Sequence, residues 1–282
     1  MIPPEFDYVA PDTLEEALKA LSEGGEDAKV LAGGHSLLPL MKLRLAAPTL
    51  LVDIRKLPGL RGVERANGGW KIGPMTRHAD LQVNGELGIV AEVASHIADQ
   101  QVRNRGTIGG SIAHGDPASD LPTVLLALDG TVSITGAGGQ SREVAAADVF
   151  QDYLTTAVGP GEILTQINLP STDGWGFGYQ KFNRRREDWA MVAVSALVRA
   201  NDGVCEDVRI GLTNMGSTPL RARAAEEALR GQPLDAERIA AAAEQAPEGT
   251  DPPGDLNATP DYKRHLARVL CRRALSEAAG LA

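Results

Sequence analysis

The chain has little of what builds a metal centre, since only two of its 282 residues are cysteine. Cys205 and Cys271 stand alone, and no CxxC pair occurs. Two isolated thiols cannot by themselves ligate an iron–sulfur cluster or a cysteine-type zinc ion. We therefore expect two buried, unpaired thiols and no metal site on this chain.

Long apolar runs and an excess of positive charge are also lacking. No run approaches the ~18 residues of a membrane-spanning helix, and the opening MIPPEFDYVAP has neither the basic nor the apolar region of a signal peptide. A formal net charge of −9 argues against nucleic-acid binding. The one basic run, Arg184 to Arg186, is either a solvated loop or a contact to a partner subunit or to an anionic part of a ligand. We expect a cytoplasmic protein that neither spans a membrane nor binds nucleic acid.

Several motifs of well-known enzymes are missing. The sequence contains no GxxxxGK[ST] phosphate loop and no GxGxxG fingerprint, which weakens a nicotinamide interpretation. No Ser/His/Asp triad, paired-carboxylate motif or HExxH pattern provides a hydrolytic site. His78 and His114 have no metal-ligand spacing, so we expect them to be structural or exposed.

Two separate glycine-rich segments are the most informative positive feature. They are LAGGHSL at 31–37 and RNRGTIGGSIAHGDPASDLP at 103–122. Glycine lacks a Cβ, so a Gly-Gly pair lets the backbone adopt positive φ and lets its N–H groups approach a pyrophosphate closely. Two such loops predict one large anionic ligand held from both sides, and a dinucleotide has that character.

The pattern around the loops predicts alternating helices and strands. Asp12 with Glu15 has the pattern of a capping box opening a helix from Leu14 to about Ser22, and a buried strand then leads into the first loop. Further strands are predicted over 49–54, 70–73, 131–135 and 162–170, with helices over 78–102, 119–129 and 148–156. Strand followed by glycine loop is an arrangement that carries ligands, so the first part of the chain is expected to form small α/β lobes.

The remainder of the chain predicts a hairpin sheet carrying helices. The segments 190–200 and 205–216 are typical of two strands, joined at Asn201-Asp202-Gly203 by an Asp-Gly turn. Helices follow over 220–230, 234–245 and 262–279, and the last is opened by Thr259 with Pro260 at its first position. The stretch from Pro170 to Gly178 is rich in turn formers, which favours a domain boundary there.

With these segments placed, the chain resembles the flavin-binding medium subunits of molybdenum hydroxylases, most closely the aerobic carbon monoxide dehydrogenase branch. The resemblance rests on AGGHSLLPLMKLRLAAPTLLVDI, RNRGTIGGSIAHGDPASDLP, YQKFNRRREDWAMVAVSA and GLTNMGSTPLRARAAEEAL, which together span nearly the whole chain. His35 is typical of that branch where other members often carry Gln. Gly115 departs from the common Ala, which alters loop stiffness more than chemistry.

The resemblance implies an α+β fold with two domains. A FAD-binding domain of the vanillyl-alcohol-oxidase type would occupy residues 1–172, as two α/β lobes at roughly 1–55 and 56–172. A C-terminal α+β domain of the carbon monoxide dehydrogenase flavoprotein type, with an antiparallel sheet and helices, would occupy 173–282.

The resemblance also implies which residues contact FAD. The first loop would wrap the pyrophosphate, the second would oppose it, a carboxylate would accept from a ribityl or ribose hydroxyl, and a lysine and an aromatic ring would lie near the flavin. The implied residues are Ala32, Gly33, Gly34, His35, Ser36, Leu37, Thr107, Ile108, Gly109, Gly110, Ser111, Asp116, Asp120, Ile163, Lys181 and Trp189. Simpler roles stay open for some of them: a turn residue for His35, an Asx turn for Asp116, a helix cap for Asp120 and plain core for Trp189.

The function that the resemblance implies is electron transfer. FAD would take electrons from the 2Fe-2S clusters of a small subunit and pass them to an external acceptor, beside a large molybdenum-cofactor subunit, in a dimer of heterotrimers that could associate peripherally with a membrane. No acid or base of this chain need be essential, because the cofactor supplies the chemistry. Two alternatives stay open: a self-sufficient FAD oxidoreductase that acts directly on a small molecule, and a scaffold that has lost its flavin.

Overall fold

The computed structural model describes residues 2–66 and 68–281 as a mixed helix and sheet fold. Its strands are β1 (Asp7–Val9), β2 (Ala28–Leu31), β3 (Leu50–Asp53), β4 (Val63–Ala66), β5 (Gly69–Ile72), β6 (Thr131–Thr135), β7 (Ser141–Ala145), β8 (Phe150–Asp152), β9 (Thr155–Thr156), β10 (Ile163–Pro170), β11 (Trp175–Phe182), β12 (Val192–Asn201), β13 (Val204–Thr213) and β14 (Leu220–Arg221). Its α-helices are α1 (Leu14–Gly24), α2 (Leu37–Lys42), α3 (His78–Gln82), α4 (Ile89–Ser95), α5 (Gln100–Arg103), α6 (Ile108–His114), α7 (Asp120–Ala127), α8 (Ala146–Val149), α9 (Arg223–Leu229), α10 (Ala236–Glu244) and α11 (Pro260–Ala278).

The first sheet is small and parallel, with strand order β1-β3-β2. Helix α1 packs on it through Ala17, Leu18 and Leu21, all of which are buried. The predicted helix exists, but its capping box is formed one residue later than the sequence pattern suggested. Thr13 Oγ1 accepts from the Glu16 N–H at 3.2 Å, and the Glu16 carboxylate accepts from the Thr13 N–H. The two patterns overlap in the sequence, and the hydroxyl at Thr13 is the one that reaches the free N–H.

The second sheet is antiparallel, with strand order β4-β5-β10-β6-β7. Its long strand β10 lies at the centre, and helices α3, α4, α6 and α7 pack with it around the largest hydrophobic core. Every residue of α7 is buried. This helix therefore forms part of the interior and positions whatever its first turn carries.

The third sheet is also antiparallel, with strand order β11-β12-β13-β14, and α11 covers one face. Thr259 caps α11 with Pro260 in its first turn, as the sequence predicts. The hairpin between β12 and β13 turns at Asp202 and Gly203, both at positive φ. Helix α7, which belongs to the core around the second sheet, also packs against β12 and β13 of the third sheet.

Two predicted helices differ from the structure. Residues 78–102 form three short helices rather than one, because Gly88 and Ala98 adopt positive φ and interrupt the helical run. Residues 148–156 form the end of α8 and a two-stranded ribbon of β8 and β9. In both places the backbone at a few residues overrides an apolar spacing that is compatible with a helix. None of the helices described over 2–66 and 68–281 is long and apolar enough to cross a membrane.

Candidate functional site

A cavity of about 590 Å³ opens between the first two sheets and the start of the third. Ligand pockets of drug-sized and cofactor-sized molecules fall in the range of about 300 to 1,000 Å³. Four segments supply most of its wall: the loop after β2, the loop and helix around α6, residues 158–164 before and at the start of β10, and the end of β11 with the loop behind it. The cavity is therefore assembled from both predicted glycine loops and from the C-terminal sheet.

The first glycine loop, residues 32–36, connects β2 to α2 and leaves its backbone donors free. Gly34 has a φ of +79°, which an L side chain rarely adopts. Within residues 2–66 and 68–281, the backbone N–H groups of Gly33, Gly34, His35 and Ser36 form no hydrogen bond. Successive free N–H groups in such a turn form a concave site for an anion. This loop has the chemistry that a phosphate requires.

The second glycine loop faces the first, and most of its backbone donors are already bonded within the protein. The N–H groups of Ile108, Gly109 and Gly110 donate to Thr76 O, Pro74 O and Thr107 Oγ1 at 3.1, 2.9 and 3.2 Å. The sequence predicts backbone donors from both loops, whereas these three N–H groups of the second loop are not free for a ligand. The reason is that the Thr107 hydroxyl caps α6, and the carbonyl oxygens of the segment 74–76 accept from the two residues that follow Thr107.

The two loops touch through glycine. A Cβ on Gly33 would lie 2.5 Å from the carbonyl oxygen of Arg105 and 2.9 Å from Gly106 Cα. A Cβ on Gly110 would instead lie 2.9 Å from Thr107 Oγ1 and 3.8 Å from Ala32 Cβ, in the space between the loops. Gly33 thus allows the loops to pack together, and Gly110 keeps the gap between them open.

Asp120, at the first turn of α7, joins the cavity to the C-terminal sheet. Its Oδ2 lies 2.8 Å from Lys181 Nζ, and its Oδ1 accepts a hydrogen bond of 2.6 Å from the Tyr179 hydroxyl. Lys181 Nζ also donates to His96 O at 3.3 Å. Burial, together with the Asp120 charge, raises the pKa of Tyr179 well above its usual value of 10.0, so this hydroxyl stays protonated and donates.

The rim of the cavity is formed by the segment after β11. Trp189 is 55% exposed, so it is not part of the core, and it lines the cavity beside Glu187 and Asp188. The Asn183 amide holds this loop by donating to the carbonyl oxygens of Arg186 and Asp188. The basic run of Arg184 to Arg186 is exposed on the same loop.

Most residues singled out in the sequence line this cavity. They are Ala32, Gly33, Gly34, His35, Ser36, Leu37, Thr107, Gly109, Gly110, Ser111, Asp120, Ile163, Lys181 and Trp189. Ile108 and Asp116 do not line it. The side chain of Ile108 is buried in the hydrophobic core. Asp116 Oδ1 accepts from the Ala118 N–H at 2.8 Å, so Asp116 forms the Asx turn that was the simpler alternative for this residue.

Other residues of the cavity wall were not predicted from the sequence. The segment Val158 to Glu162 lines the cavity just before Ile163, and its Gly-Pro-Gly turn was a signal that could have drawn attention to it. His78 and His114 also line the cavity. Burial lowers the pKa of His78 to about 4, aided by the nearby Arg103 and His35, and burial lowers the pKa of His114 against the opposing charge of Asp116. His78 lies outside both glycine-rich segments, so the sequence gives no signal for its position, whereas His114 lies within the second segment.

The fold and the cavity have the features of a class of proteins that bind phosphate-bearing dinucleotides. The free donors of one loop suit a pyrophosphate, Gly110 leaves space between the loops, and the apolar and polar wall beyond suits rings and hydroxyls.

Comparison with known proteins identifies the family. Residues 4–172 match the family described as "FAD binding domain in molybdopterin dehydrogenase", and residues 177–278 match "CO dehydrogenase flavoprotein C-terminal domain". The chain is 40% identical to the carbon monoxide dehydrogenase medium chain of Hydrogenophaga pseudoflava, over 99% of this chain and 98% of the relative. It is 39% identical to the 6-hydroxypseudooxynicotine dehydrogenase complex subunit alpha of Paenarthrobacter nicotinovorans, over 99% of this chain and 96% of the relative.

A solved structure agrees with these relatives. The carbon monoxide dehydrogenase of Hydrogenophaga pseudoflava that lacks the Mo-pyranopterin moiety contains a chain with a TM-score of 0.96 and 41% identity, with all of both chains covered. The chain therefore belongs to the FAD-binding medium subunits of the molybdopterin dehydrogenases, and its cofactor is FAD. It is an oxidoreductase subunit, as the resemblance of its motifs implies.

Proposed function

We propose that this chain carries electrons within a heterotrimeric molybdenum hydroxylase of the carbon monoxide dehydrogenase type. In this proposal, bound FAD supplies the electron-carrying chemistry between 2Fe-2S clusters of a small subunit and an external acceptor, and a large subunit holds the molybdenum cofactor. The names of the two relatives above, a medium chain and a subunit of a dehydrogenase complex, support this assembly.

The observation that carries the proposal is the unequal pair of glycine loops on one cavity. The four free N–H groups of 33–36 would hold the pyrophosphate, while the second loop, Thr107 to Ser111, would lie opposite, with the N–H groups of Ile108 to Ser111 already bonded within the protein. The protein part of the chemistry is then to bind, orient and shield the cofactor, which requires no titrating side chain.

The cluster of Asp120, Tyr179 and Lys181 would hold the sugar or ribityl part and the C-terminal sheet together. Each oxygen of a carboxylate can accept more than one hydrogen bond, so Asp120 can keep both protein partners and still accept from a ligand hydroxyl. Ile163 would contact the cofactor from the third segment, and Trp189 would lie beside the flavin ring at the rim, where an exposed indole can shield a ring from water.

The domain division and the higher assembly belong to the same proposal. We place the FAD-binding domain at 1–172 and the C-terminal domain at 173–282, which is supported by the change from the first two sheets to the third. The complex would be a dimer of heterotrimers in the cytoplasm, with peripheral membrane contact through the complex.

The experiment compares two glycine to valine variants. Gly110→Val places a branched side chain in the gap between the loops, and Gly85→Val places the same side chain at an exposed position with nothing within 4 Å. We expect Gly110→Val to lose FAD while it keeps a folded far-UV circular dichroism spectrum, and Gly85→Val to keep FAD. Equal FAD content in the two variants would overturn the assignment of the loops.

A further inference from the structure

His78 lies against the second glycine loop from the inside. It begins helix α3, its backbone N–H donates to Gly106 O at 3.0 Å, and it is 3% exposed. A Cβ on Gly106 would lie 2.8 Å from His78 Cδ2 and 2.9 Å from Nε2, so this edge of the ring rests on the glycine. Gly106 in turn touches Gly33. The imidazole therefore sits directly behind the point where the two loops meet.

The ring has unmet hydrogen-bonding capacity. His78 lines the cavity, yet Nδ1 is buried without a hydrogen-bond partner among the residues that the structure describes. A buried polar nitrogen without a partner is unfavourable, and such groups in folded proteins are expected to find a partner in a ligand or a water.

The charges around the ring favour a neutral donor. Among the residues that the structure describes, the charged groups that shift its pKa are Arg103 and His35, and neither is a carboxylate. Because its pKa is about 4, the imidazole carries no charge at neutral pH and holds one N–H. Because Arg103 and His35 are both basic residues, this side of the cavity favours an anionic ligand.

We propose that His78 is a cofactor-binding residue that donates a ring N–H to the phosphate-bearing part of FAD, directly or through one water, and holds Gly106 against the first loop. This inference rests on the proposed position of the pyrophosphate between the two loops. It adds a side-chain donor on the side of the cavity where the N–H groups of Ile108, Gly109 and Gly110 are bonded within the protein.

The test separates the phosphate part of the cofactor from the flavin part. FAD, ADP and riboflavin are titrated into the full chain freed of flavin, as wild type, His78→Phe and His78→Asn. Phenylalanine keeps a flat ring against Gly106 but has no N–H, whereas asparagine restores a donor. We expect His78→Phe to weaken FAD and ADP by about tenfold or more and leave riboflavin unchanged, and His78→Asn to recover most of the loss.

Each result has one meaning. If His78→Phe binds FAD and ADP as tightly as wild type, or weakens riboflavin as much as FAD, the inference is overturned. If wild type itself binds neither FAD nor ADP, even when it is produced together with the neighbouring subunits, the proposed function fails instead.

A second measurement needs no variant that must fold. The chain has five histidines, so the ring nitrogens of ¹⁵N-histidine-labelled protein can be resolved by NMR. We expect the ring with the lowest pKa, about 4, to shift at the nitrogen that carries the proton when ADP or FAD is added, and to stay neutral between pH 6 and 8. No shift at that ring with saturating ADP would contradict the inference.

Discussion

Lys181 and Asp120 form a buried ion pair between the C-terminal sheet and helix α7, with 2.8 Å between Nζ and Oδ2 and 5% of each side chain exposed. The Tyr179 hydroxyl donates to the other carboxylate oxygen. A buried pair of this kind is expensive to break from one side, because the remaining charge keeps its desolvation cost without its partner. The pair therefore connects the wall of the cavity to the third sheet.

Removal of one partner should cost more than removal of both. Lys181→Met is expected to lower the free energy of unfolding by about 3 to 5 kcal/mol, since it leaves the Asp120 carboxylate buried and uncompensated. The double variant Asp120→Asn with Lys181→Met should recover a large part of that loss. Urea unfolding of the wild type, both single variants and the double variant measures the coupling. Additive losses would mean that the pair has no special role.

Gly33→Ala should disturb the protein itself as well as its ligand. The added methyl would lie 2.5 Å from a backbone oxygen of Arg105, so the two loops must move apart. Overpacking of this kind costs about 1 to 3 kcal/mol, which corresponds to roughly 2 to 4 °C in melting temperature for each kcal/mol in a chain of this size. Thermal unfolding monitored by circular dichroism, with Gly85→Ala as the control, tests this. Identical melting temperatures for the two variants would show that the loops are not in contact.

His78 should make the protein less stable in acid. Its pKa of about 4 lies below the unfolded value of 6.5, so between these two values the unfolded chain takes up a proton that the folded chain does not. Stability from this group is therefore full above pH 6.5 and falls by roughly 3 kcal/mol as the pH approaches 4. Urea midpoints of wild type and His78→Asn over this range should converge toward low pH. Parallel curves would contradict a depressed pKa at His78.

The two thiols should be inert in the folded protein. Both Cys205 and Cys271 are fully buried, and burial raises their pKa to about 11 and about 12. Since the thiolate is the reactive form, a thiol reagent at pH 8 should modify neither in native protein and both after denaturation in urea. Rapid modification of either thiol in the native chain would show that the cores around them open easily.

The sequence was most informative where local chemistry decides the structure. Thr259 and Pro260 start α11, and the Asp-Gly pair turns the β12–β13 hairpin, because each of these features acts over a few neighbouring residues. The capping box was placed one residue early because Asp12 and Thr13 both precede a glutamate by three residues. Only the geometry of the chain shows that the Thr13 hydroxyl makes the bond.

The site required more than the sequence could give. The glycine loops indicate a ligand, but a sequence does not show which N–H groups are already bonded. In this structure the N–H groups of Ile108, Gly109 and Gly110 are bonded within the protein. The partners of Asp120 lie 59 and 61 residues away along the chain, so pairing with Tyr179 and Lys181 follows from the fold alone. His78 belongs to no motif and enters the cavity only through the packing of α3 on the second loop.

The measurement that tests the central claim most directly is the visible absorption spectrum of the purified full chain, with and without added FAD, followed by identification of the released cofactor. A flavin spectrum with one FAD for each chain is the result expected from one FAD held in the cavity between the two glycine loops. A colourless protein that takes up no FAD, even when it is produced together with its neighbouring subunits, would contradict the account.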